Sequence, residues 1–331
     1  MKKFLKLKYF FVIGIGVFLV ILGFEVQDSY RKYGNYRTMQ DPLSASESVD
    51  LTGLRELPYA GGPMIPLSEL KKRLEHVKGP KIIVDGVHGK YGYVYGIPDS
   101  YIGYLEKAPS WKSYIWRLFY TGTLKSRPSL IVPGAVAAQL YGFEYRSFRI
   151  GSKYLSQDED IDKFVSFLDA LPENVSLYFH CIHGKGRTSM MLVMADIIKN
   201  APKVALADII KRQYLLGSVN LFDTASWTRS TYATKMLEDR KKFIEDFYDF
   251  IDQRKAGGIQ RWSEWNKQRK GAIAVTKIHK DVLLRTLSHP GRGEKVGNEF
   301  NILLTYLSYQ APPWGKFENK KSLYDSTVRE S

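Results

Sequence analysis

A histidine and a cysteine open the run His180-Cys181-Ile182-His183-Gly184-Lys185-Gly186-Arg187-Thr188-Ser189. An apolar stretch from Val175 to Phe179 precedes it, and an apolar helical pattern from Thr188 to Asn200 follows. Strand, glycine-bearing loop, then helix is the layout of a phosphate cradle. A phosphate dianion needs donors around all its non-bridging oxygens. The loop from Cys181 to Arg187, with Ile182, His183 and Lys185 inside it, can turn its backbone N–H groups inward. Gly184 and Gly186 permit the backbone angles this demands. The helix that follows points its positive end at the same spot, and Arg187 can hold two phosphate oxygens in a bidentate fork. The same field favours a thiolate at Cys181, in line behind phosphorus, to attack and form a phosphocysteine. Arg187 and the loop amides would stabilise the equatorial oxygens of the transition state. Thr188 is expected to hydrogen-bond the sulfur, and His180 to order the loop through backbone hydrogen bonds. This chemistry needs no metal and no other cofactor.

The elements that must position the loop are legible around it. Lys81 to Asp85 (KIIVD) and Val175 to Phe179 (VSLYF) read as short buried strands. Leu67, Leu70, Leu74 and Val77 follow helical spacing, and Gly79-Pro80 ends that helix. Residues 86–104, rich in Gly and Tyr, fit turns and a small β element. Pro133 to Gly142 reads as a short helix and Tyr145 to Ile150 as a strand. Ser156 with Glu159 three residues on forms a capping box for a helix whose apolar face is Ile161, Phe164, Val165 and Leu168. Further helices fit Val204 to Leu216 and Met236 to Arg254. Strands alternating with helices predict an α/β sheet.

The chain has 331 residues, 44% of them hydrophobic, and a formal net charge of +15. That surplus favours anionic partners. Without zinc-finger spacing, an RNA-binding sheet motif or a long basic block, nucleic acid is not among the expected ones. Lys2, Lys3, Lys6 and Lys8 precede an uncharged run from Tyr9 to Phe24. With Phe4, Leu5 and Leu7 it approaches the roughly 20 residues of a spanning helix, and its end lacks a small-residue cleavage site. Residues 1–24 are therefore read as an uncleaved membrane anchor, with cleaved secretion as the alternative. The lysines keep the N-terminus cytoplasmic and leave the body on the outer side. Residues 25–50 read as a stalk and the start of the domain, 51–270 as the domain, and 271–331 as an extension without an assigned role. Cys181 is the only cysteine, so no internal disulfide can form.

The loop resembles that of protein-tyrosine-phosphatase-like enzymes, and above all the bacterial cysteine phytases. The likeness runs from about residue 35 to 268. Asn35-Tyr36-Arg37-Thr38 is similar to an N-terminal NFRT-type segment whose Arg faces substrate. Lys81 to Pro98 resembles a shortened DLRxESHG region, matching at Asp85, His88 and Gly89. Asp162 to Asn200, Arg212-Gln213, Ser226-Trp227, Lys235 and Phe247 to Trp265 are similar too. The resemblance implies a central sheet flanked by helices, with a small partial β-barrel beside the site. It implies hydrolysis of inositol polyphosphates, an anionic phosphorylated small molecule as substrate, and basic ring-phosphate contacts. Carried over by position, these contacts are Arg37, Arg187 and Lys235, with Arg229 one residue from another basic position and Lys185 and His183 adding charge in the loop. A lysine at the Lys185 position also occurs in phosphoinositide phosphatases.

One departure matters. The family carries its acidic proton donor soon after an Arg-Ile pair. Here Arg149-Ile150 is followed by Gly-Ser-Lys-Tyr-Leu-Ser, and Lys153 or Tyr154 stands where an Asp belongs. Asp158 is the candidate for a displaced acid. Three readings stay open: an inositol polyphosphate phosphatase, a phosphatase of phosphotyrosine or phosphoinositide, and a phosphate-ester binding protein with weak turnover.

Overall fold

A computed structural model describes residues 12–20, 23, 34–43, 48–87, 91–226 and 231–273. The chain divides into two units, Met1–Asn266 and Lys267–Ser331, and the elements below belong to the first. The main sheet has five strands: β1 (Arg37–Thr38), β2 (Tyr59–Pro63), β3 (Lys81–Asp85), β7 (Glu144–Ser147) and β8 (Ser176–Cys181), in the order β1-β2-β8-β3-β7. β1 pairs antiparallel with β2, and the other pairings are parallel. Thus β1 falls inside the segment read as stalk and start of the domain, and Met39 beside it is fully buried.

Both faces of the sheet are covered, as parallel strands require. Along β8, Leu177 and Phe179 point into one core and Tyr178 into the other; along β3, Ile82 and Val84 oppose Ile83 in the same way. The larger core lies under α5 (Asp158–Asp169), α6 (Gly186–Asn200), α7 (Leu206–Leu215) and α8 (Thr234–Lys255), the smaller under α1 (Leu67–Arg73) and α4 (Gly134–Leu140). The sequence of α6 is apolar on nearly every side because the helix is buried on nearly every side. It packs so close to β2 that a side chain at Gly61 would come within 2.5 Å of Leu192.

The helix expected to start at Ser156 begins at Asp158, with Gln157 as N-cap and no side-chain cap. Ser156 instead closes the loop before the helix, where its Oγ accepts from the Gly151 amide at 2.8 Å. Where a partial barrel was expected, the described residues hold a three-stranded antiparallel sheet, β5 (Ile97–Pro98), β4 (Gly92–Val94) and β6 (Val132–Pro133), in that order. With it come α2 (Asp99–Ile102) and α3 (Trp111–Thr121), the second a helix that the sequence pattern did not lead us to expect. Residues 12–20 are helical. Among the described residues no helix is long and apolar enough to cross a membrane, and most of the N-terminal run lies outside them.

Candidate active site

The loop sits at the carboxyl ends of three adjacent parallel strands, the usual place for a ligand in an open α/β sheet. Register sets the positions: Pro63 of β2 is opposite Cys181, and Asp85 of β3 is opposite His180. Cys181 ends β8 and α6 begins five residues later, with Lys185 as its N-cap. Cys181 is buried, His183 and Lys185 are exposed, and Ile182, Gly186 and Arg187 lie between.

The loop carbonyls are held from outside, one after another. The Met64 amide donates to the Cys181 carbonyl at 2.8 Å and reaches that of Ile182 at 3.4 Å. Asn35 Nδ2 donates to the His183 carbonyl at 2.9 Å, and Arg37 Nη1 to the Gly184 carbonyl at 2.9 Å. The Ser189 amide takes the Lys185 carbonyl at 2.8 Å, as the first bond of α6. Carbonyls turned outward leave the opposite edges of those peptides, the N–H groups, for the bowl. Gly184 makes this possible. Its φ is +69°, and a Cβ there would lie 2.4 Å from backbone atoms of Gly62 and Pro63, so only glycine fits.

Arg187 leaves the first turn of α6 and donates through Nη1 to the Gly86 carbonyl at 2.7 Å. That bond fixes the guanidinium beside the loop mouth. A second wall of the bowl comes from Ser152 and Tyr232, whose hydroxyls are 2.9 Å apart. Both crowd Gly186, where a Cβ would come 2.6 Å from Ser152 Oγ and 3.0 Å from Tyr232 Oη. Lys153 sits over the rings of Tyr154 and Tyr232, at 5.6 and 6.0 Å. Ser152 and Tyr232 are 80 positions apart in sequence and gave no pattern to read.

Several expected roles are corrected. Arg37 does not face substrate: it is 2% exposed, and its guanidinium donates to Ser218 Oγ, Ser189 Oγ and the carbonyls of Asn35 and Gly184. Burial lowers its pKa to about 10, opposed by the nearby Cys181 sulfur and by Tyr178. It braces the loop from behind. Asn35 acts with it, and the two-residue spacing that puts both on one side of an extended chain was the available signal. Thr188 is fully buried and its Oγ1 donates to the Gly62 carbonyl at 3.3 Å, in place of the sulfur.

His180 holds the chain at the loop through its backbone more than through its ring. Among the described residues neither ring nitrogen makes a hydrogen bond of normal geometry, and Nε2 lies 3.7 Å from Asp85 Oδ1. Burial holds its pKa below the usual histidine value, while Asp85 and the Cys181 backbone pull the other way. What does order the chain there is its carbonyl, which accepts from the Gly86 amide at 2.8 Å. Asp85 is no substrate contact either. Its carboxylate is taken by the Tyr145 hydroxyl and the Val87 amide, the donors a buried carboxylate needs.

Asp158, the candidate displaced acid, accepts from Trp262 Nε1 and Asn266 Nδ2, each at 2.8 Å, and so ties α5 to the residues after α8. Lys235 pairs with Asp239 one turn along α8, at 2.9 Å, as an exposed helix pair. His88 and Arg229 lie outside the described residues.

The sequence profile of a family described as PTP-like phytase, inositol hexakisphosphate, matches residues 132–199. The chain is 32% identical over 126 residues to the effector protein hopD2 of Pseudomonas syringae pv. tomato, covering 38% of this chain and 26% of that one. It is 33% identical over 89 residues to the uncharacterized protein AvrBs1.1 of Xanthomonas campestris pv. campestris, covering 27% of this chain and 86% of that one. Among solved structures, the PTP-like myo-inositol phosphatase of Mitsuokella multacida, in complex with myo-inositol-(1,3,4,5)-tetrakisphosphate, superposes with a TM-score of 0.56 at 22% identity, over 71% of this chain and 45% of that one. A PTP-like phytase from Bdellovibrio bacteriovorus gives 0.51 at 22% identity, over 70% and 88%. The chain thus spans about a quarter of hopD2 and under half of the Mitsuokella chain, and at such identities the structures speak to the fold. The profile match places residues 132–199 with the PTP-like phytase family, and the shared fold extends that likeness to about 70% of the chain.

Proposed function

We propose that this chain is a cysteine-dependent phosphomonoesterase that acts on inositol polyphosphates. The observation that carries the reading is the outward clamping of the loop carbonyls from Cys181 to Lys185, which leaves the amides for a phosphoryl group above the sulfur. The Cys181 thiolate attacks phosphorus, an S–P bond forms, and the bond to the inositol oxygen breaks. The departing alkoxide takes a proton. Water then attacks the phosphocysteine, the S–P bond breaks, and inorganic phosphate leaves with the thiolate restored. Arg187 and the inward amides hold the equatorial oxygens in both steps. Lys185 at the rim, Lys153 over Tyr232 and Arg187 below supply the positive charge that a polyphosphate ring calls for.

The commitment of Asp158 to Trp262 and Asn266 favours a slow variant of this chemistry, in which water protonates the leaving alkoxide. A missing general acid costs on the order of 10²–10⁴-fold. The N-terminal run is proposed to hold the domain at the outer side of the cytoplasmic membrane.

The test is phosphate release from phytate, phosphoinositides and phosphotyrosine peptides. Phytate should be preferred, Cys181→Ser should abolish release, and Arg187→Ala should lower it by about 10²–10³-fold. Asp158→Asn should leave the pH profile of release unchanged. Equal release by Cys181→Ser would end the thiolate reading, and preference for phosphotyrosine would end the inositol one.

A further inference from the structure

Helix α3 (Trp111–Thr121) is amphipathic in the wrong sense for a domain surface. Its inward face carries the buried polar groups Ser113 and Arg117 together with Trp116 and Tyr120, which pack against the small core of Val94, Ile97, Ile102 and Tyr104. Arg117, 3% exposed, donates to the carbonyls of Ile102 and Gly103 at 2.5 Å each, and Ser113 is buried beside the N-cap Ser110. These bonds fix the rotation of the helix. The opposite stripe, Trp111, Tyr114, Ile115, Leu118 and Phe119, follows the i, i+3, i+4, i+7, i+8 spacing of one helix face, and all of it but the half-buried Ile115 is exposed. Trp111 is 55% exposed, Leu118 51% and Phe119 70%, and Leu124 just past the helix is 54% exposed. A contiguous patch of this kind marks an interaction surface.

Its charge surroundings say what covers it. Lys107, Lys125 and Arg127, in the segments that flank α3 in sequence, are exposed and form no ion pair among the described residues, and Lys112 lies over the Trp111 ring. Glu106 is the one acidic residue between Leu105 and Leu130. Trp, Phe and Leu on a helix face bordered by lysines match the chemistry of an interfacial helix, whose rings enter the headgroup zone while cations meet anionic lipid. We propose that α3 docks the domain onto an anionic phospholipid surface, through Trp111, Leu118, Phe119 and Leu124. The inference goes beyond the phosphatase reading and stands without it.

The lone, buried cysteine makes the test clean. In the full chain carrying Cys181→Ser, an environment-sensitive fluorophore is placed at Phe119→Cys, at Leu118→Cys as a second site, or at Glu173→Cys as an exposed control. Vesicles of phosphatidylcholine alone, or mixed with phosphatidylserine, are added, with and without nitroxide-labelled lipid. At positions 118 and 119 the mixed vesicles should give a blue shift, a severalfold rise in intensity and nitroxide quenching, all weakened by added salt. The control should not respond. The proposal is overturned if 118 and 119 stay silent, if neutral vesicles act as well as anionic ones, or if position 173 responds equally. A blue shift that grows with protein concentration without lipid would also overturn it, since a second copy would then be covering the face.

Discussion

Arg37 and Arg187 show how one residue type serves two ends of a single loop. Arg187 is half-buried, with one nitrogen on the Gly86 carbonyl and the rest of its fork available to an anion. Arg37 spends its donors on four internal acceptors. Removing it strands the Gly184 carbonyl and the buried Ser218 hydroxyl, each loss worth about 1–3 kcal/mol, while Ser189 Oγ keeps the Val219 amide. Arg37→Ala is therefore expected to lower denaturant stability by at least about 2 kcal/mol and to reduce kcat more than it raises KM. Arg37→Lys, which can reach one acceptor but not four, should restore part of the stability. A change confined to KM would mean that Arg37 touches substrate after all. His180 supplies a pH prediction. Its folded pKa is depressed by burial, so below about pH 6.5 the unfolded chain takes up a proton that the folded ring refuses. Stability from this residue is complete above that pH and falls as pH drops below it, until the folded ring itself titrates. Urea unfolding from about pH 5 to 8 should show this slope in the parent and a flatter one in His180→Gln.

At the scale of elements, the loop works because β2, β8 and α6 meet within van der Waals distance at glycines. Gly184 lies against the end of β2, and its left-handed backbone costs any other residue about 1–2 kcal/mol before the clash with Gly62 and Pro63 is counted. Gly184→Ala is expected to leave the fold assembled, since the loop lies at the carboxyl ends of the strands and outside both cores, while losing most phosphate release. Far-ultraviolet circular dichroism alongside a turnover assay would check it, and full activity would show that the clamp on this carbonyl is dispensable. The sequence already pointed to this glycine, together with Gly186, as permitting the backbone angles of the loop. It did not show that Asn35 and Arg37, almost 150 residues earlier, provide the outer half of the clamp.

At the scale of the whole molecule, the ion pair of Arg212 with Asp196 is the bolt behind the site. Both side chains are fully buried. Arg212 also donates to the carbonyls of Asp50 and Thr52, at 3.0 Å each, and Gln213 and Asn200 complete the shell around Asp196. The network joins α6, which carries the loop, to α7 and to the segment entering the sheet. Removing one partner of a buried pair costs about 3–5 kcal/mol. Asp196→Ala should lose stability of that order in chemical unfolding, and Arg212→Met with Asp196→Leu less than the single change. A loss within experimental error in Asp196→Ala would show that the pair carries no weight.

The cradle and its frame can be read in the order of the residues. Cys181, Gly184, Gly186 and Arg187 lie within seven consecutive positions, and the strands and helices around them follow periods of two and 3.6 that burial imposes locally. Which polar side chains reach that cradle is a matter of how the chain packs in three dimensions. Asp85, Arg37, Thr188 and Asp158 looked like chemistry in one dimension, yet each buried or half-buried polar group was claimed by the donors and acceptors that folding brought within hydrogen-bond reach. The same holds for α3. Its apolar spacing is visible in the chain, but only the inward anchoring of Arg117 turned that stripe outward. Hydrogen-bond demand in a low-dielectric interior is met by neighbours in space, and sequence order does not rank them.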